Sequence, residues 1–137
     1  MKGKVREFSQ EINEISLEFS KIYNQALEAE RRGLDQIAGI GFRKSLEFLV
    51  KDYLINFKSK EKESIEGKLL GKCITEDVSD ENVKEIAKRA VWLGNDETHY
   101  IRKWEGKDIK DLKILIDLTL YWIQSEILTN KLVANMN

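Results

Sequence analysis

At 137 residues the chain is the size of one domain, and 23 Lys and Arg against 24 Asp and Glu leave a formal net charge of −1. That balance excludes a global electrostatic attraction to nucleic acid or a membrane surface, so any such contact needs a local basic patch. With no proline, 8 glycines and 34% charged residues, the composition excludes a turn-rich β fold and favours helices with solvated outer faces.

The first helix reads from about Lys4 to Arg32. Val5, Phe8, Ile12, Ile15, Phe19, Ile22, Ala26 and Ala29 step by threes and fours along one face, with a break expected near Ser16 or Ser20. Gly33 suits a left-handed cap after Arg31 and Arg32. The second helix reads from Asp35 to Phe57. Phe42, Leu46, Leu49, Val50, Tyr53, Leu54 and Phe57 share one arc and Ile37, Phe48 and Ile55 another, the pattern of a central helix. Gly39 and Gly41 would weaken its first turns unless another helix crosses closely there.

A connector from Lys58 to Ser64 leads to a short helix from Ile65 to Ile74, carrying Leu69, Leu70 and Cys73. Ser79 or Asp80 caps the next helix, which runs from Glu81 to Leu93 and ends at Gly94 and Asn95. The last helix starts at the N-cap Asp108, with Asp111 three residues on, and reaches about Asn130. It carries two apolar stripes. Leu112, Leu115, Ile116, Thr119, Leu120, Ile123 and Ile127 form the core stripe. Ile114, Leu118, Tyr121, Ser125, Leu128 and Leu132 step four, three, four, three, four like a coiled-coil seam and require a separate partner, either a neighbouring helix or a second subunit. The whole chain, 1–137, reads as one all-α domain, an up-and-down bundle of about five helices. Lone Cys73 points to a reducing, cytoplasmic compartment. The charged start, Met1 to Glu7, leads into no apolar stretch, so neither a signal peptide nor a membrane span is expected.

Chemistry concentrates at Trp92 to Tyr100, which holds the single histidine, His99. An imidazole there can serve as acid, base or metal ligand, with Asp96 and Glu97 to orient it or share a metal. The plainer reading makes Gly94-Asn95 a helix cap, and one histidine with two local acids is too little for a structural metal site. No metal or cofactor is expected. Arg43 lies within the apolar arc of the second helix and must be paired. Glu47 has the spacing for it, with Glu28, Glu30 and Glu126 as longer-range candidates. A basic run (Lys88, Arg89, Arg102, Lys103, Lys107, Lys110) interleaves with Trp92, Tyr100 and Trp104, as a surface that stacks bases and holds phosphates would. Glu105, Asp108 and Asp111 dilute it, and the plainer reading turns the aromatics into the core.

Tyr23 to Arg31, Gly41 to Glu47 and Leu93 to His99 together resemble a bacterial and phage helical family, domain of unknown function 4145, mainly over residues 23–132. That family is similar to the HEPN superfamily. The resemblance implies an HEPN-like helical bundle, often dimeric, linked to RNA, phage defence or toxin–antitoxin biology. Active HEPN proteins are metal-independent ribonucleases with four to six residues between an arginine and the histidine that follows it. Here the nearest upstream arginine, Arg89, has nine residues between it and His99 (99 − 89 − 1 = 9). Arg102 lies on the other side of the histidine. The motif is incomplete, so a non-catalytic interaction and assembly domain is the expectation. The alternative is a ribonuclease using His99, with Arg102 or Arg89 holding phosphate.

Overall fold

The computed structural model describes residues 4–104 and 106–137; Met1 to Gly3 and Glu105, both part of the readings above, lie outside them. Seven α-helices form among the described residues: α1 (Gln10–Ile15), α2 (Leu17–Arg31), α3 (Asp35–Asp52), α4 (Lys62–Glu66), α5 (Leu70–Asp77), α6 (Glu81–Thr98) and α7 (Ile109–Asn135). One π-turn, Tyr53–Phe57, extends α3. No strand occurs among the described residues.

The expected first helix begins late and divides. Residues 4–9 are not helical, and the Ser9 side chain caps α1 by accepting the Ile12 amide at 3.3 Å. Ser16 ends α1 and starts α2, its hydroxyl accepting the Phe19 amide at 3.2 Å and donating to Asp52 at 2.6 Å. A hydroxyl that serves the backbone competes with helix continuation, which is why the break falls there. Val5, placed on the seam by its spacing, is exposed because no helix carries it. Gly33 takes the left-handed conformation, φ +77°, where glycine has no steric penalty.

The expected short helix also divides, at Gly67, into α4 and α5. Leu69 becomes the α5 N-cap and is exposed, while Leu70 and Cys73 are buried. The expectation for the next helix needs correction as well: α6 runs straight through Gly94 and Asn95 to Thr98. Asp80 caps it, accepting the Val83 amide at 2.9 Å. Asp108 and Asp111 form a reciprocal capping box at the start of α7.

Helix α3 is central. It packs on α2, α5, α6 and α7, and Phe42, Leu46, Leu49, Val50, Tyr53 and Leu54 are fully buried. Its second arc is only partly covered, and Ile37 is exposed. At the α2–α3 crossing, a Cβ on Gly41 would stand 2.9 Å from the Ala26 Cβ, so glycine here permits the close approach that the spacing required. Tyr23 and Phe42 meet edge to face beside it, at 5.1 Å.

Glu126 does not reach Arg43. It accepts the Tyr53 hydroxyl and the Lys58 ammonium, the latter at 2.7 Å. Tyr53 lies ten positions beyond Arg43 (53 − 43 = 10), about 15 Å along a helix. Burial first, and then the Glu126 carboxylate, push the Tyr53 phenol well above its ordinary range.

Candidate functional site

The site is built where α3 and α6 touch. A Cβ on Gly94 would stand 2.7 Å from Arg43 Cγ, and a Cβ on Gly39 only 2.2 Å from a Glu97 carboxylate oxygen. Position rises along α3 as it falls along α6, so the two helices run antiparallel here. Gly94 therefore works inside a helix, as the residue that lets α6 lie against the Arg43 stem, and it does not cap α6. The cap position is His99 itself: its amide donates to the Asn95 carbonyl at 2.9 Å, and its backbone then turns extended.

Arg43 pairs with Glu47, four residues on, and Lys51 pairs with the other Glu47 oxygen at 2.9 Å. Burial opposes ionisation of Glu47, but hydrogen bonds from Lys51 and Arg43 prevail and hold its carboxyl below the ordinary range. Glu30 pairs with Lys113 at 2.8 Å and Glu28 with Arg32 at 2.9 Å.

The acids beside His99 are committed to the following loop. Asp96 is 3% exposed, and its two carboxylate oxygens accept the Lys103 amide at 3.0 Å and the Trp104 amide at 2.8 Å. Glu97, almost buried, pairs with Arg102 at 2.6 Å, and Arg102 also donates to the Lys107 carbonyl at 2.9 Å. The 99–107 segment is thus braced by one carboxylate on its backbone and one arginine across its span. Tyr100 and Ile101 project from it, fully or largely exposed.

His99 is exposed, and neither its imidazole nor the Asn95 side-chain amide makes a hydrogen bond among the described residues. The histidine stands between two grooves. One, of about 570 Å³, brings His99 together with Arg43, Asn95 and the first turns of α5. The other, of about 610 Å³, brings it together with Asp96, Glu97, Arg102 and Lys107. Arg89 joins neither. It bonds Glu85 at 2.8 Å and lies over the Trp92 ring, 5.5 Å from its centroid.

Trp92 and Trp104 do not turn into the core as the plainer reading has it: they are 40% and 43% exposed. Their rings stack nearly parallel, 6° apart with centroids at 5.6 Å, beside a cleft of about 290 Å³ that Arg89, Lys107 and Ile114 help to line. Periodicity holds a signal for half of this pair. Trp92 lies 100° around α6 from buried Val91 and shares an arc with Lys88, Asn95 and His99. Trp104 is placed by Asp96, a contact across eight residues that periodicity does not reach.

The seam of α7 is exposed: Ile114 is 57%, Leu118 39%, Tyr121 62% and Leu128 39% open to solvent. The core stripe is buried on the other side, except Leu115, which is only partly covered. Among the described residues, no group of three or more His, Cys, Asp or Glu side chains is placed to hold a metal ion, and no helix is long and apolar enough to cross a membrane. No protein-family model, curated protein or solved structure matches the chain.

Proposed function

We propose that this protein is a non-catalytic, HEPN-like assembly module of the cytoplasm, an up-and-down bundle that forms a homodimer through the seam of α7. The exposed row of Ile114, Leu118, Tyr121, Leu128 and Leu132 carries this reading. Large apolar rows on one helix face mark interaction surfaces. The row suits a second copy of itself because its spacing is symmetric about position 123: 114 with 132, 118 with 128, and 121 with 125. A two-fold antiparallel pairing sets each residue against its mate in a self-complementary interface. Three charged residues of α7 are already paired within the chain, Asp117 with Arg6, Lys113 with Glu30 and Lys131 with Glu11. Closing the seam therefore leaves none of those three charges buried alone.

The engagement of Asp96, Glu97 and Arg102 in the loop also favours assembly over catalysis, since each of them already has a structural partner. Copies labelled separately with donor and acceptor dyes at the N-terminus should transfer energy when mixed, and Leu118→Glu should abolish the transfer while helicity is retained. Equal transfer by the variant would remove the seam from the interface.

One observation favours a second reading, an RNA-directed module. The stacked Trp92–Trp104 pair with Arg89 above it offers rings to bases and cations to phosphates. Single-stranded RNA should then bind with an affinity that falls steeply with salt, and Trp92→Ala should weaken it by about tenfold, the scale of one stacked base. Cleavage of RNA by the wild type but not by His99→Ala would replace both readings with the ribonuclease.

A further inference from the structure

Helix α5 faces the same groove as Arg43, Asn95 and His99. Its first residues, with Leu69 before them, line one wall. Leu69 is the N-cap and makes no side-chain cap bond, so the amides of Leu70, Gly71 and Lys72 lack an acceptor within their own helix. A Cβ on Gly71 would meet nothing within 4 Å, which leaves the groove open at that point. Lys72 stands in the same wall, its ammonium 3.9 Å from Glu76, a distance that leaves donors to spare. On the opposite wall Arg43 spends one hydrogen bond on Glu47. Asn95 and His99, one turn apart on α6, face the groove with side chains that have no partner among the described residues.

Donors thus converge from three helices on one space, and the cluster does not rest on the helix start alone. Arg43 and Lys72 bring positive charge, Asn95 and His99 bring directed polar groups, and Glu76 is the one acid in the lining. We propose that this groove binds a terminal phosphate, the doubly charged group of a phosphomonoester, held by Arg43, Lys72, Asn95 and His99. A terminal phosphate presents three free oxygens, which matches donors arriving from α3, α5 and α6, whereas a diester presents two. Gly94 belongs to this site by position, because a side chain there would push α6, and with it Asn95 and His99, away from Arg43. The inference does not depend on what covers α7.

The test is a titration followed by nuclear magnetic resonance, using full-length protein and inorganic phosphate, methyl phosphate or dimethyl phosphate. Potassium chloride at matched ionic strength is the control. Inorganic and methyl phosphate should give saturable shifts at the Gly71 and Lys72 amides, the Asn95 side-chain amide and the His99 ring. Dimethyl phosphate should bind at least about tenfold more weakly, as the loss of a charge-assisted hydrogen bond predicts. Asn95→Asp, nearly the same shape and on the surface of α6, should weaken phosphate by about tenfold or more through like-charge repulsion. Shifts that chloride reproduces would overturn the proposal, as would dimethyl phosphate binding as tightly as methyl phosphate. Equal phosphate affinity in a folded Asn95→Asp variant would overturn it too.

Discussion

Asp96→Ala should release the 99–107 segment while the bundle stays folded. The carboxylate is buried and accepts two backbone amides, Lys103 and Trp104, that have no other acceptor among the described residues. Hydrogen bonds to a charged acceptor contribute about 1.5–3 kcal/mol each, and the freed amides regain water only if the segment opens. A loss of about 3 kcal/mol follows on that scale, with the change concentrated in one place. Amide exchange at Lys103 and Trp104 should rise sharply, and the stacked Trp92–Trp104 pair should separate. Exchange in α2 and α3 should hardly change. Asp96→Asn keeps one acceptor and should fall between the two. Unchanged exchange at Trp104 would show that the loop is held by Arg102 and Glu97 instead.

Gly41→Val should lower the melting temperature sharply. The new Cβ would stand 2.9 Å from the Ala26 Cβ and 3.4 Å from its Cα, atoms fixed to the α2 backbone, so the helices must part. Parting them loosens Tyr23 against Phe42, both fully buried. Overpacking of this kind costs about 3 kcal/mol, and about 10 °C of melting temperature at this chain length. Gly41→Ala should cost less, because alanine's helix propensity returns about 1 kcal/mol. The swap Ala26→Gly with Gly41→Ala should recover most of the loss, since the Cβ then sits on the other helix. No recovery would mean that the crossing is not where the strain lies. At Gly39 the obstructing group is the Glu97 carboxylate, the end of a flexible side chain, and Gly39→Ala should be the milder change.

Periodicity carried the long elements. The core stripe of α7, the buried arc of α3 and the caps at Asp80 and Asp108 follow from spacing and local side-chain chemistry, both of which a sequence displays directly. A break at Ser16 or Ser20 was legible for the same reason, and it falls at Ser16. Gly94-Asn95 misled because glycine has two uses, to turn a chain and to let another backbone approach. Only the position of Arg43 on a neighbouring helix decides between them. The Arg43–Glu47 pair is local and was legible; the link from Glu126 to Tyr53 spans 73 residues and was not. Asp96 shows the same limit at short range. Its sequence neighbour is His99, but its hydrogen-bond partners are backbone amides, which have no signature in side-chain identity. The groove that gathers Arg43, Asn95 and His99 needed three helices in place before its residues could be seen as one set.

The account stands on the α7 seam, and sedimentation equilibrium of the wild-type chain tests it most directly. Across the micromolar range the protein should sediment at twice the 16.0 kDa of a single chain, and Leu118→Glu should shift it to the monomer. A wild type that holds the mass of one chain at every concentration would contradict the assembly reading and leave Ile114, Leu118, Tyr121 and Leu128 without their proposed partner.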